Sequence, residues 1–155
     1  MQIYADHRRA LREPRKSAYV AFAESWWTRY NLLVDGWIEL AVAEENYESS
    51  EYQNLISTAR ELRERVSASS ESLEHAQAVV HVEGPFDVTD ASVHAAGALI
   101  AAARCFSAAV TASPSSEAFS RLDIEFEAAR STAHEKYLAF LYAASKALEE
   151  SVVRA

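Results

Sequence analysis

The sequence predicts an all-α protein, an antiparallel up-down-up-down four-helix bundle with long, heptad-phased helices. Three observations lead to this fold class. The 155 residues include only three glycines and three prolines among many alanines, so turns are few and helices are long. Apolar residues recur at steps of three or four along four segments, as they do on one face of a helix. Half of the residues are hydrophobic, which is enough for one domain with a real core.

We predict the first helix over residues 14–45, with Pro14 in its first turn, where proline is tolerated. Its apolar positions lie three or four residues apart: Tyr19, Phe22, Trp26, Tyr30, Leu33, Trp37 and Leu40. Asp35-Gly36 is typical of β-hairpins, but the apolar steps continue through Gly36 in phase, which places it inside the helix. Glycine costs about 1 kcal/mol there relative to alanine. We expect it to let a neighbouring helix approach closely beside Trp37.

All three tryptophans lie on this first helix. Trp26, Tyr30 and Trp37 share one side of it and are predicted to be core residues, because aromatics at helical spacing usually pack inside. Trp27 lies about 100° away around the helix, so we expect it to be partly exposed, and an exposed tryptophan can mark a protein interface. The alternative is that the aromatic stripe lines an apolar cavity for a small molecule.

The second helix is predicted over residues 50–82, again in heptad phase. Its middle, Ser67–Ser72, is rich in serine and places Ser69 at a core position, so we expect a kink or thin packing there. Gly84 and Pro85 then end the helix, since glycine caps helix C-termini and proline cannot continue them.

The third helix, residues 88–112, is nearly uncharged, and Arg104 carries the one formal charge between Ala91 and Ser116. Such a helix is either enclosed by the other three or forms an oligomer interface. No run reaches eighteen purely apolar residues, so no membrane span is predicted. The fourth helix is predicted over residues 116–152, with Ser115 or Ser116 as its N-cap.

The formal charge is −8, which argues against wrapping nucleic acid, because phosphate binding needs a basic surface. Residues 1–13 form a predicted basic N-terminal arm, followed by a single bundle domain over residues 14–155. The basic stretch 1–16 carries five Arg or Lys against two acids, and it could touch phosphates or an anionic membrane, or be a solvated leader. Cys105 is the only cysteine and no signal-peptide core is present, which favours a reducing cytoplasm.

The sequence contains none of the motifs for catalysis, metal binding or cofactor binding that we sought. Di-iron bundles need Glu-x-x-His pairs, and none of the five histidines has an acidic residue three positions before it. Zinc, phosphate-loop and nucleophile-elbow motifs are also missing from the sequence. We therefore predict that the protein is not an enzyme and has no cofactor. His94 and Arg104 on the third helix join Trp26, Trp27, Tyr30 and Trp37 as candidate interface or ligand contacts.

Two patches, "RKSAYVAFAESW" and "VHVEGPFDVTDAS", resemble a loose group of uncharacterised all-helical actinobacterial proteins. That group has a basic lead-in, a Tyr-x-x-Phe opening and a central Gly-Pro hinge before a helix. The matching residues here are Arg15, Tyr19, Phe22, Gly84, Pro85 and Val88. The resemblance implies a helical fold, and no activity comes with it.

These observations favour a cytoplasmic, non-enzymatic bundle that acts by protein–protein interaction, either with itself as a dimer or with a partner protein. The nearly uncharged third helix is the main reason. One alternative is a small-molecule-binding bundle with an aromatic-lined cavity beside the first helix. A further alternative is an acidic protein that mimics nucleic acid to inhibit a basic partner, which would need acids clustered on one face.

Overall fold

The computed structural model describes residues 2–153, with the side chains of residues 10 and 12–151. This part of the chain is all-helical, as predicted, and contains no strand. It forms five α-helical segments, which are α1 (Gln2–Glu45), α2 (Tyr52–Ala68), α3 (Ser70–Glu83), α4 (Phe86–Ala112) and α5 (Ser116–Val153). The segments α2 and α3 meet at Ser69 and correspond to the second of the four predicted helices.

The start of α1 differs from the prediction. The helix begins at Gln2 rather than near Pro14, and Pro14 lies inside it. A proline inside a helix leaves the carbonyl four residues earlier without its usual N–H donor. Here that carbonyl belongs to Ala10, and both Ala10 and Pro14 are exposed, so water can satisfy it. The residues before Pro14 contain no glycine, which removes the other common reason for a helix to end.

The predicted weak point at Ser67–Ser72 is confirmed as a break between α2 and α3. Ser69 Oγ donates to the Val66 carbonyl oxygen at 2.7 Å, and Ser70 Oγ donates to the Ser67 carbonyl oxygen at 2.8 Å. Serine hydroxyls that bond back to the backbone in this way compete with the regular helical hydrogen bonds. The break therefore follows from local serine chemistry.

Gly84 ends α3 as predicted, although its backbone is extended rather than left-handed. Its N–H donates to the Val80 carbonyl oxygen at 2.8 Å, and a Cβ on Gly84 would lie 2.8 Å from that same oxygen. The close approach explains the glycine. Pro85 then precedes α4, which begins at Phe86, slightly earlier than predicted.

The core joins α1 to both α4 and α5. Aromatic rings of α1 pair with rings of α5 in opposite sequence order: Tyr19–Phe140, Phe22–Phe140, Trp26–Tyr137, Tyr30–His134 and Trp37–Phe126. Toward α4, Trp26 Nε1 donates to the Ala95 carbonyl oxygen at 2.9 Å, and Gly36 lies against the ring of Phe106. Gly36 is inside α1, as predicted.

Candidate interaction surface

Four aromatic rings stack between α1 and α5. The ring of Trp26 lies 4.2 Å from that of Tyr137 and 5.0 Å from that of Tyr30, measured between centroids. Trp27 lies 5.4 Å from Tyr30 and 5.9 Å from Tyr137. These four pairs and the Trp26–Trp27 pair are all within 30° of parallel. Trp26 and Tyr30 are buried, as predicted, whereas Trp27 is at the outer edge of the stack.

Trp37 is buried in a second aromatic group further along α1, again as predicted. Its ring lies nearly parallel to Phe126 at 4.0 Å and stacks with Phe119 at 5.5 Å. Its Nε1 donates to Asp123 Oδ1 at 3.0 Å. The rings of Trp26 and Trp37 are thus covered by other rings, and the cavity between α2 and α4 has no tryptophan in its lining.

Trp27 is an exposed aromatic residue of α1, at the edge where its ring contacts Tyr137 of α5. Its side chain is 43% exposed, as the helical phase predicts. Val20, seven residues earlier, lies on the same side of α1 and is also exposed. On α5, the exposed Leu138 and Leu141 flank Tyr137, whose ring contacts Trp27. We call the set Val20, Trp27, Leu138 and Leu141 the Trp27 face.

Hydrogen bonds beside the stack fix α5 relative to α1. Arg130 Nη1 donates to Tyr30 Oη at 3.1 Å, and Arg130 Nη2 donates to Glu127 Oε2 at 2.8 Å. These bonds to Glu127 and then Tyr30 raise the pKa of Arg130 above its ordinary value, so the guanidinium stays charged. Trp27 stacks on Tyr30, the ring that Arg130 contacts, and on Tyr137.

The outer side of α4 is also apolar. Phe86 is 80% exposed, and Val93 is exposed on the same side of the helix. Gly97, Ala101 and Ala108 continue that side and are exposed too. The opposite side is buried through residues such as Leu99 and Phe106. The third predicted helix is therefore half enclosed, with the remaining half open to solvent. Because the open half has few charged residues, it is a second candidate interface.

His94 lies on the exposed part of α4 and pairs locally. Its Nδ1 donates to the Asp90 carbonyl oxygen at 2.9 Å and lies 3.4 Å from Asp90 Oδ2. The side chain of His94 is more than half exposed. This is an ordinary helix-surface pair, and it brings His94 to none of the aromatic residues above.

Arg104 lies away from the tryptophans, at a cavity between α2 and α4. This cavity of about 400 Å³ is lined by two further arginines, Arg29 from α1 and Arg63 from α2. Sequence analysis missed Arg29 and Arg63, because arginines on three different helices carry no signal of convergence before the helices are packed. The structure thus places the six candidate residues at three separate locations. The three tryptophans and Tyr30 lie together on α1, His94 lies on the exposed side of α4, and Arg104 lies at the cavity.

Cys105 on α4 is a free, partly buried thiol. Burial, together with the charge of Glu125, raises the pKa of the Cys105 thiol, which lowers its thiolate fraction at neutral pH. Within the part of the chain that the structure describes, no three His, Cys or acidic side chains come together as metal ligands. Between residues 2 and 153, one helix, α4, is long and apolar enough for a membrane crossing by length and composition, as the core helix of a bundle also can be.

In comparisons with known proteins, no protein-family model, no curated protein and no solved structure matched this chain. Function is therefore inferred below from the residues of this chain alone.

Proposed function

We propose that this chain is a non-enzymatic, cytoplasmic helical-bundle protein that acts through protein–protein interaction, with the Trp27 face as its contact surface. The partner to which we commit is a second copy of the chain. The observation that carries the proposal is the exposure of Trp27 among the apolar side chains Val20, Leu138 and Leu141. Tryptophan is the residue type most enriched at the energetic centres of protein interfaces.

The same proposal includes the finer architecture, an antiparallel up-down-up-down bundle with heptad phasing. In support, residues further along α1 contact residues earlier on α5, as expected for antiparallel helices. Residues further along α1 contact residues further along α4, since Trp26 contacts Ala95 and Gly36 contacts Phe106. That pattern is expected when α1 and α4 are diagonal neighbours. Heptad phasing is also supported by four buried residues of α1 that follow one another at intervals of seven, which are Tyr19, Trp26, Leu33 and Leu40.

The stacking of Trp27 favours binding. An interface residue loses side-chain freedom when it binds, and this costs about 0.5–1.5 kcal/mol for a mobile side chain. Trp27 is already stacked on Tyr30 and Tyr137, so little freedom remains to be lost. A face-to-face contact between two copies would bring each Trp27 face against its equivalent, as two-fold interfaces do.

Charge gives the proposal a distinctive salt dependence. Each copy has a formal charge of −8, so two copies repel each other at low ionic strength. Salt screens that repulsion, with a Debye length of about 10 Å at 0.1 M and about 3 Å at 1 M. Apolar contact is not weakened by this screening. We therefore expect self-association to strengthen as sodium chloride is raised.

The test is sedimentation velocity on the full chain and on two matched variants, over a series of protein and salt concentrations. Trp27→Ser removes the exposed aromatic of the Trp27 face. Phe86→Ser removes an even more exposed aromatic, at the start of α4, and is the control. We expect the unmodified chain and Phe86→Ser to form dimers that tighten with salt, and Trp27→Ser to remain monomeric.

If the dimer is lost in Phe86→Ser and kept in Trp27→Ser, the interface lies on the outer side of α4, which would contradict the Trp27 face as the contact surface. A chain that stays monomeric at all concentrations would contradict self-association. Circular dichroism on each variant checks that the helices remain formed, which we expect because both side chains are substantially exposed.

A further inference from the structure

The cavity between α2 and α4 has three cationic side chains around it in a strongly acidic protein. Arg29, Arg63 and Arg104 line it together with one acid, Glu64. Its volume of about 400 Å³ is within the range of roughly 300–1,000 Å³ that small-molecule sites occupy. It lies on the side formed by α2 and α4, away from the Trp27 face on α1 and α5.

Arg29 is the residue that distinguishes this cavity from a chance cluster of surface arginines. It is only 7% exposed, and its Nε is buried without a hydrogen-bond partner. No ion pair among the described residues includes it. A buried guanidinium normally has a carboxylate or several acceptors, because an unpaired buried charge is costly. In this fold Arg29 is directed into the cavity instead.

The electrostatics agree with the geometry. Burial lowers the pKa of Arg29, and the charge of Glu74 on α3 partly opposes that effect. Glu74 is close enough to act through its charge but makes no ion pair with Arg29 among the described contacts. The other acid, Glu64, is bound to Arg63 at 3.0 Å and is itself 70% exposed, so it lies toward solvent.

The two main walls of the cavity come from α2 and α4. Val66 and Ser67 of its wall are at the end of α2, directly before the break at Ser69. On the other wall, Ile100 and Ala103 of α4 are partly exposed and provide apolar surface. A ligand for this site therefore needs an acidic group for the arginines and an apolar body for the rest of the wall.

We infer that the cavity is a binding site for a small amphipathic oxyanion, a phosphate monoester or a carboxylate, whose acidic group is bound by Arg29. The guanidinium fork matches both kinds of oxyanion with two parallel hydrogen bonds. Arg104 is exposed at the rim, where it adds attraction during entry, and Arg63 supplies a further cation. The apolar body of the ligand lies against Ile100 and Ala103.

Isothermal titration calorimetry on the full chain tests this with three probes, which are phenyl phosphate, benzoate and inorganic phosphate. The buffer contains little salt and neither phosphate nor sulfate. We expect saturable binding of at least one aromatic probe, tighter than that of inorganic phosphate because of the apolar wall. Preference for phenyl phosphate assigns the phosphate class, and preference for benzoate assigns the carboxylate class. Absence of saturable binding for all three probes, or tighter binding of inorganic phosphate than of both aromatic probes, would overturn the inference.

Two variants and a control locate the site. Arg29→Met keeps most of the side-chain volume without the charge, and we expect at least tenfold weaker binding, because hydrogen bonds to charged groups are lost. Arg104→Met should weaken binding by a smaller factor, since Arg104 is exposed. Arg121→Met removes an exposed arginine on α5 that does not line the cavity, and its affinity should equal that of the unmodified chain. Equal affinity in Arg29→Met and the unmodified chain would overturn the inference.

Thermal unfolding separates a binding role of Arg29 from a structural one. If Arg29 serves a ligand, Arg29→Met without ligand should unfold at the same or a higher temperature, because an unpaired buried charge has been removed. The best-binding probe should then raise the unfolding temperature of the unmodified chain and leave that of Arg29→Met unchanged. A lower unfolding temperature for Arg29→Met without ligand would show that Arg29 stabilises the fold instead. The affinity of Arg104→Met for the probes would then show whether the cavity is the binding site.

Discussion

Gly36 of α1 lies directly against the ring of Phe106 of α4. A Cβ placed on Gly36 would be 2.5 Å from Phe106 Cζ, much closer than carbon atoms approach. Phe106 is fully buried and packs edge-on to the ring of Trp37, so it cannot move away freely. The glycine therefore permits this close contact between the two helices, and the packing of Phe106 offsets the cost of glycine in helix propensity.

Gly36→Ala should destabilise the protein, whereas Gly97→Ala should stabilise it. Both glycines lie inside helices, and alanine gains about 1 kcal/mol in helix propensity at either position. At Gly36 overpacking against Phe106 costs about 1–3 kcal/mol or more, which exceeds the gain. Gly97 has no atom within 4 Å of its added Cβ, so the gain remains. Urea unfolding of both variants measures the free energies, and stabilisation by Gly36→Ala would refute the close contact.

Asp123→Ala should cost about 1–3 kcal/mol, because it leaves the N–H of Trp37 without its acceptor. Trp37 is buried and Asp123 is partly buried, so water replaces the lost oxygen only in part. Asp123→Asn keeps an acceptor oxygen and should lose less than half as much. Thermal unfolding of the two variants compares them, and equal losses would show that the carboxylate charge matters rather than the hydrogen bond.

Ser113→Ala should destabilise the end of the bundle where α1 and α4 both finish. Ser113 Oγ donates to Glu44 Oε1 and lies 2.9 Å from Tyr52 Oη, which donates to it. Glu44 is buried and its other oxygen has no partner, so losing the serine leaves the carboxylate poorly satisfied. We expect a loss of about 1–3 kcal/mol in urea unfolding. Ser116→Ala, at an exposed hydroxyl nearby, is the control. Of the two predicted N-cap candidates, Ser115 is the one that caps α5, since its Oγ accepts from the Ala118 N–H, so Ser116→Ala should change stability by less than about 0.5 kcal/mol.

Cys105 should react slowly with iodoacetamide at pH 8 in the folded chain and faster after unfolding in urea. Its pKa is raised in the fold by burial and by Glu125, so less thiolate is present at a given pH. The same shift means that the contribution of Cys105 to stability is full below the ordinary thiol pKa of about 8.5 and is lost as the pH rises through the folded value. A folded-state rate equal to the unfolded one would contradict the raised pKa.

Much of this fold could be predicted from residue spacing. The apolar steps of the first helix identified Trp26, Tyr30 and Trp37 as core and Trp27 as exposed, because helical phase relates side chains that are near in sequence. The serine cluster identified the break at Ser69 for the same local reason. These features depend on a few neighbouring residues, which the sequence shows directly.

Two features could not be predicted because they depend on distant parts of the chain. Pro14 is suited to the first turn of a helix, so the sequence predicted a start there. Pro14 can lie inside α1 because the carbonyl of Ala10, which it leaves without a donor, is exposed to water, and that exposure depends on how the whole of α1 is packed. Arg29 occupies an ordinary position at the edge of the core stripe. Arg29 can be recognised as part of a cationic cavity only when α2 and α4 have placed Arg63 and Arg104 around the same cavity.

The most direct test of the central claim is double electron–electron resonance between copies, with a spin label at Asn31 in a Cys105→Ser background. Asn31 is exposed and one helical turn after Trp27. Association through the Trp27 face predicts a shorter distance between copies for this label than for the same label at Gly97, on the outer side of α4. A shorter distance at Gly97, or no dipolar signal from either label, would contradict the Trp27 face as the contact surface.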